Sequence, residues 1–283
     1  MIRNLIIIIC LASFGPVSVL AQEAPRLIVR GDDIGSTHAA NLGCIQSYRE
    51  GIMRTVEIMV PCPWFPEAVQ LLRENPGLDV GVHITLTSEW EGIRWRPLTH
   101  ASGITGPDGY FYPMIWPKER FPPSMALKEA DWKLEEIEAE MRAQIELALK
   151  HIPQVSHLTC HMGCSGWDDR VAEVYLKLAR EYGLHIDPGE RGVERFPRME
   201  KGDTPQKRIR RFIEALHRLE PGKTYLFVEH PALETPEMEA VGHKGYEEVG
   251  SDRQMVTDMF TSKEVMEAID ELEIELISYA ELK

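Results

Sequence analysis

The sequence has little positive charge and no basic run. It contains 31 Lys and Arg residues against 45 Asp and Glu residues, a formal charge of -14 at pH 7. Because affinity for a phosphate backbone comes largely from Lys and Arg, this balance argues against nucleic-acid binding. It argues against binding to an anionic membrane surface for the same reason. Hydrophobic residues make up 43% of the chain, which excludes disordered and low-complexity classes.

A hydrophobic run long enough to cross a membrane is also missing. The apolar run at residues 5–14 is well short of the roughly 20 residues that a spanning helix needs. It follows the polar pair Arg3-Asn4 and precedes the small-residue site Val19-Leu20-Ala21, a pattern typical of a secretory signal peptide. We therefore predict a signal peptide at residues 1–21, an exported protein, periplasmic or secreted, and no membrane span in the mature form. An uncleaved membrane anchor is the alternative.

Cysteine is scarce as well. Of the five cysteines, Cys10 lies in the predicted signal peptide. The four others are too few for a disulfide scaffold, although one or two bridges could form in an oxidising compartment. Cys160 and Cys164 lack the spacing of a zinc knuckle, which favours packing residues or a local bridge over metal ligands. The pattern leaves open whether any of the four pair: Cys44, Cys62, Cys160 and Cys164.

Short apolar or β-branched segments alternate with longer amphipathic segments along the chain. The short segments predict strands at residues 27–30, 55–60, 79–86, 155–161, 184–187, 224–229 and 274–278. Residues 169–182 predict a helix, because their apolar side chains recur at spacings of three and four. A second helix is predicted from the capping-box sequence Thr261-Ser262-Lys263-Glu264 onward, and a third, acidic helix over residues 126–150.

This alternation predicts the fold class. Strands that alternate with helices form a largely parallel sheet, and about 250 residues is the usual size of a (β/α) barrel. The chain has no internal repeat and no linker rich in Pro, Gly or Ser. We predict a single α/β domain over residues 22–283, a distorted (β/α) TIM-like barrel with about seven mostly parallel strands. An open, doubly wound sheet is the alternative.

One long irregular stretch, residues 88–124, interrupts this pattern. It contains six prolines and three of the six tryptophans of the chain, among them Trp90 and Trp95. A structureless stretch of this length in a compact domain is usually a lid or a binding loop. Aromatic faces commonly bind sugars, so we predict that Trp90 and Trp95 contact a substrate. The alternative is that these aromatic residues only pack the loop onto the body of the protein.

Titratable residues recur at the ends of the predicted strands. They are Asp32, Asp33, His83, His157, His161, Glu229 and His230. In a barrel the carboxyl ends of the strands converge on one site, so these groups can meet there. Together they suggest one carboxylate and two imidazoles around a divalent ion, with a second carboxylate free as a base. In a continuous strand His157 and His161 would point the same way; we favour His161, which is nearer the strand's end.

Five segments, in this order along the chain, resemble the motifs of a known family. They are Gly31-Asp32-Asp33-Ile34-Gly35, the segment from Asn75 to Thr87, His157-Leu158-Thr159-Cys160-His161, Glu229-His230-Pro231 and Ile277-Ser278-Tyr279-Ala280-Glu281-Leu282. The family that they resemble is the YdjC-like carbohydrate deacetylases, which include chitooligosaccharide deacetylases. The sequence departs from the family pattern at Thr159, where an aspartate is usual, and at Met162-Gly163-Cys164, where further histidines are usual. It departs also at Arg30-Gly31.

The resemblance implies a distorted (β/α) barrel and removal of acetyl groups from an N-acetylated carbohydrate substrate. It implies a divalent metal ion, magnesium or zinc, held by Asp33, His83 and His161. Asp32 is then the general base, and His230 the acid or the group that stabilises the transition state.

Three other functions are compatible with the same residues. A non-haem iron oxygenase also uses two histidines and a carboxylate. A metal-independent glycoside hydrolase would pair Asp32 or Asp33 with a second carboxylate such as Glu229. A non-catalytic carbohydrate-binding protein would need only the aromatic loop. The sequence leaves open the sugar, the metal and the existence of a homo-oligomer.

Overall fold

Seven strands form one curled parallel sheet in the computed structural model, which describes residues 23–282. The strands are β1 Arg26–Ile34, β2 Thr55–Ile58, β3 Asp79–Ile84, β4 Val155–Cys160, β5 Val193–Arg195, β6 Thr224–Glu229 and β7 Glu275–Ile277. Their order is β4-β3-β2-β1-β6-β5, and β7 pairs with the beginning of β1. The predicted α/β class and distorted TIM-like barrel are confirmed. The predicted signal peptide lies outside the described residues and stays a prediction.

Seven α-helices of the described chain connect these strands and cover the sheet. They are α1 His38–Arg49, α2 Phe65–Arg73, α3 Leu134–His151, α4 Asp169–Glu181, α5 Pro205–Leu216, α6 Val249–Phe260 and α7 Lys263–Glu271. The predicted helix at residues 169–182 is α4. The capping-box prediction is also confirmed, because the Ser262 side chain accepts a hydrogen bond from the Val265 backbone at the start of α7. Within residues 23–282, no helix is long and apolar enough to cross a bilayer.

Two predicted elements are wrong for identifiable reasons. Residues 184–187 form no strand: Gly183 ends α4 with a φ of 69°, and a turn follows at Pro188. Leu184 and Ile186 are buried as the pattern requires, but the strand forms later, at β5. The acidic helix begins at Leu134 and not near residue 126, because the backbone N–H groups of Leu127 and Lys128 donate to the preceding loop.

The long irregular segment is present as predicted. Residues 85–133 contain neither an α-helix nor a regular strand, only short 3-10 turns and isolated bridges. Several of its apolar side chains, including Phe111 and Ile115, belong to the main core. The segment therefore packs on the body of the protein.

Gly43 marks a point where α1 and the chain after β6 approach closely. A Cβ atom at this position would lie 2.5 Å from Cα of Ala232, which is backbone and cannot move aside cheaply. We expect Gly43→Ala to lower the free energy of unfolding by about 1–3 kcal/mol, measured by urea denaturation. Gly166→Ala is the control, since its nearest neighbour is 3.8 Å away. Equal stability of both variants would contradict this packing.

Candidate metal centre

A backbone irregularity at the end of β1 brings two adjacent carboxylates to one cavity. Asp33 has a φ of 75°, a left-handed conformation that is rare outside glycine, and the register with β2 shifts between Gly31 and Ile34. In a regular strand Asp32 and Asp33 would point to opposite faces. Here both line one cavity of about 570 Å³. Such strain is typical of functional sites.

The three predicted metal ligands meet at this point. His83 lies on β3, and His161 is the first residue after β4. Ligand atoms of Asp33, His83 and His161 all lie within 4.8 Å of one another. Oδ1 of Asp33 is 3.7 Å from Nε2 of His83 and 3.5 Å from Nδ1 of His161.

The surroundings of one oxygen atom, Oδ1 of Asp33, indicate whether these residues suit a cation. Oδ1 of Asp33 is buried and has no hydrogen-bond partner among the described residues. A buried carboxylate oxygen without a partner is costly unless a donor or a cation satisfies it. Because this oxygen faces two imidazole nitrogens, the donor set suits a divalent ion such as zinc or magnesium.

The electrostatics of the cluster favour positive charge. Burial would raise the pKa of Asp33, but Arg253, His230 and His161 outweigh burial and hold it well below the usual range. Burial lowers the pKa of His161, whereas the carboxylates of Glu89 and Asp33 raise it to about 10 overall. Burial lowers the pKa of His83. A proton or a metal ion is therefore stabilised beside Asp33.

Sequence reasoning missed two residues that hold these ligands. Glu89, in the irregular segment, places Oε2 3.0 Å from Nε2 of His161, which leaves Nδ1 directed at Asp33. Arg253, on α6, donates to Oδ2 of Asp33 at 2.9 Å. Partners of this kind orient metal-binding side chains. Glu89 directly precedes the predicted Trp90, but no sequence signal points to Arg253.

The predicted base, Asp32, is held by a neighbour on the same strand. Arg30 donates to both carboxylate oxygens, at 2.8 Å from Nε and 3.0 Å from Nη2, and also donates to the Tyr279 hydroxyl at 2.9 Å. Oδ2 of Asp32 is 3.8 Å from Nε2 of His83. A two-bond arginine pair fixes a carboxylate in one orientation. Arg30, a departure from the family pattern, is thus part of the site.

The predicted acid, His230, follows β6 and lines the same cavity. Removal from water lowers its pKa, but the charge of Asp33 and the neighbouring Glu229 carboxylate outweigh this and raise it. The structure thus brings His230 to the cavity that Asp32 and the three ligands share.

The two predicted aromatic contacts lie in different places. Trp90 lines the cavity and stacks on His243, with 5.6 Å between ring centroids. Trp95 is only 2% exposed, and its Nε1 donates to the Thr87 carbonyl at 2.7 Å. Its ring lies 6.4 Å from that of His161. Trp95 therefore packs behind the cavity wall, and its predicted contact with a substrate stays a prediction.

His157 and His161 do not share a face as predicted for a continuous strand. β4 ends at Cys160, so His161 belongs to a 3-10 turn and His157 to the strand. The ring of His157 is fully buried, stacks on Tyr279 at 4.1 Å and contacts Glu57. His157 is thus separate from the ligand cluster.

Cys160 and Cys164 flank this turn, and their sulfur atoms lie 2.8 Å apart. Both thiols are free, as are the separately buried Cys44 and Cys62. We expect oxidised glutathione to convert Cys160 and Cys164 to a disulfide. In this reaction the two thiols pass two hydrogens to one glutathione disulfide, which becomes two glutathione thiols. Alkylation and mass spectrometry after denaturation should find Cys44 and Cys62 still reactive. Four alkylated cysteines would contradict the pairing.

Comparisons with known proteins place the chain among related sequences. The sequence model of one family, described as YdjC-like protein, matches residues 26–271. A relative from Thermus thermophilus, named carbohydrate deacetylase, is 35% identical over 240 residues, covering 76% of this chain and 80% of the relative. Another carbohydrate deacetylase, from Thermoanaerobacter pseudethanolicus, is 28% identical over 271 residues, covering 91% of this chain and 99% of that relative.

A solved structure shares the fold. This protein from Enterococcus faecalis V583, named as a candidate cellobiose-phosphate cleavage protein, matches with a TM-score of 0.70 at 24% identity. The match covers 92% of this chain and 99% of that one. Since the family's sequence model spans nearly all of the described residues, the chain belongs to the YdjC-like family.

Proposed function

We propose that this protein is an exported, metal-dependent carbohydrate deacetylase that hydrolyses the acetamide group of N-acetylated sugars. Relatives named carbohydrate deacetylase support the reaction. The observation that carries the proposal is the unpartnered, buried Oδ1 of Asp33, which faces His83 and His161 beside a second carboxylate, Asp32. The predicted signal peptide supports export.

Asp33, His83 and His161 would hold the divalent ion, zinc or magnesium. When bound, such an ion supplies positive charge that polarises a carbonyl and makes water more acidic. Arg253 and Glu89 hold Asp33 and His161 in place for this role.

Asp32 acts as the general base. It lines the cavity beside the ligands, and the two hydrogen bonds from Arg30 fix its orientation. An ionised carboxylate has about four acceptor positions, so Asp32 can still accept a proton from an attacking water.

His230 acts as the general acid. Cleavage of an amide requires a proton on the leaving nitrogen, and a positioned imidazolium can supply it. The charges of Asp33 and Glu229 raise the pKa of His230, which favours the protonated ring that an acid needs. Trp90 and the cavity of about 570 Å³ provide a binding place of the size that small ligands occupy.

Acetate release from a panel of N-acetylated oligosaccharides tests the proposal. The mature chain, residues 22–283, is compared after removal of metal and after reloading with Zn²⁺ or Mg²⁺ alone. We expect release only from reloaded protein. Activity with Zn²⁺ would exclude an iron oxygenase, cleavage of glycosidic bonds without metal would indicate a glycoside hydrolase, and sugar binding without acetate would indicate a binding protein.

A further inference from the structure

A chain of buried polar side chains continues from His83 away from the cavity. We call it the Glu57 network; its members are Glu57, Asp79, Ser156, His157 and Thr159. Nδ1 of His83 lies 2.8 Å from Oγ1 of Thr159, which lies 2.5 Å from Oε2 of Glu57. The other oxygen of Glu57, Oε1, is 2.8 Å from Nε2 of His157. All of these side chains are buried.

The pairing of β2, β3 and β4 brings the side chains of this network together. Glu57 on β2, Gly81 on β3 and His157 on β4 are register partners across three adjacent strands. A Cβ atom at Gly81 would overlap both Oε2 of Glu57 and Nε2 of His157. The glycine thus leaves room for the two side chains to meet. Two residues further along the same strands, His83 and Thr159 are register partners as well.

The far end of the network fixes His157. Its Nδ1 is 2.7 Å from Oγ of Ser156, and that hydroxyl donates to Oδ1 of Asp79 at 2.6 Å. Because a hydroxyl has one proton, Ser156 must accept from His157. Nδ1 of His157 therefore donates to Ser156, and Nε2 lies beside Oε1 of Glu57.

The direction of each hydrogen bond follows from the charge of Glu57. Burial would raise its pKa, but His157 and Arg30 outweigh burial and lower it to about 2. An ionised carboxylate only accepts, so the Thr159 hydroxyl donates to Glu57. The oxygen of Thr159 must then accept from Nδ1–H of His83. The lone pair of His83 is thereby on Nε2, the nitrogen that faces Asp33 at 3.7 Å.

We propose that Glu57 is a positioning residue that acts through Thr159 to hold His83 in the Nδ1–H tautomer, with Nε2 ready to bind metal. His157 keeps Glu57 in place. The arrangement resembles the carboxylate–histidine–metal groups of other metal sites, with a hydroxyl inserted between carboxylate and imidazole. This inference rests on the proposed role of His83 as a metal ligand. It gives a function to His157, a motif histidine outside the ligand cluster.

The tautomer of His83 in metal-free protein is the first readout. In protein labelled with ¹⁵N-histidine, the His83 signals are those lost in His83→Ala. We expect the Nδ1–H form in the wild type and in Thr159→Ser, which keeps the hydroxyl. Thr159→Val should lose this preference, and Thr159→Ala is a second variant without the hydroxyl. His100, an exposed histidine of the irregular segment, is an internal control whose signals should not change.

For Glu57→Gln we expect a change of the His83 tautomer, which follows from the hydrogen bonds that a glutamine can make. Where Nε2 of His157 donates, as it does to an ionised Glu57, the glutamine oxygen turns to His157 and its NH₂ group to Thr159. The Thr159 oxygen then accepts from the glutamine, and its proton points to Nδ1 of His83. We expect His83 to switch to the Nε2–H tautomer, in which the nitrogen that faces Asp33 carries a proton.

Metal affinity is the second readout. Titration with Zn²⁺ should give a Kd about 10- to 100-fold weaker for Thr159→Val and Glu57→Gln than for the wild type, and little change for Thr159→Ser. Circular dichroism confirms that each variant is folded. The inference is overturned if Thr159→Val and Thr159→Ala keep both the Nδ1–H tautomer and wild-type affinity. Absence of acetate release from the wild type would instead overturn the proposed function and leave these two readouts intact.

Discussion

His161→Ala is expected to abolish acetate release, with kcat/KM lowered by about 10³-fold or more. The substitution removes one of three metal ligands, and the lost transition-state stabilisation corresponds to about 4 kcal/mol. It also leaves the buried Glu89 carboxylate without its imidazole partner. The bound metal, measured by elemental analysis after dialysis, should fall well below one ion per chain.

The matched control is His100→Ala, because His100 is an exposed histidine of the irregular segment. This variant should keep the activity and the metal content of the wild type. If His161→Ala bound one ion per chain with unchanged affinity, the ligand assignment would be wrong. If it lost metal but kept full activity, the metal would be irrelevant to the reaction.

Asp32→Asn is expected to separate catalysis from metal binding. The amide keeps the size of the carboxylate but cannot accept a proton, so kcat should fall by about 10²- to 10⁴-fold. The metal content should stay near that of the wild type, since Asp33, His83 and His161 are untouched. Steady-state acetate release and elemental analysis measure the two effects.

Asp33→Asn is the comparison for this variant, because the two aspartates are adjacent in sequence and line one cavity. It should lose metal and activity together. If Asp32→Asn retained wild-type kcat at saturating metal, another group would have to be the base. If it lost metal as completely as Asp33→Asn, Asp32 would be a ligand.

The meeting of Asp33, His83 and His161 could be predicted because it depends on topology. Parallel strands bring their carboxyl ends to one edge, so Asp33, His83 and His161 needed only the strand pattern and the family motifs. The bulge could not be predicted in the same way. A two-residue period sends Asp32 and Asp33 to opposite faces, and only the left-handed backbone of Asp33 reverses this.

Other parts of the site depend on contacts between distant segments. Arg253 pairs with Asp33 across 220 residues of sequence, and Glu89 reaches His161 from a segment without periodicity. The predicted end of the fourth strand, at residue 161, is one residue too late. The predicted strand includes His161, but β4 stops at Cys160 and a 3-10 turn begins. Local patterns carry no information on such long-range pairing.

The hydrogen bond between Arg30 and Tyr279 joins residues 249 positions apart, and it makes the site sensitive to the order of synthesis. Asp33, His83 and His161 have all been synthesised once residue 161 is made. Arg253 and Tyr279, which brace Asp33 and Arg30, are synthesised only after all three of these residues. A nascent chain thus contains Asp33, His83 and His161 before it contains the residues that contact Asp33 and Arg30. Pairing of such distant segments also slows folding.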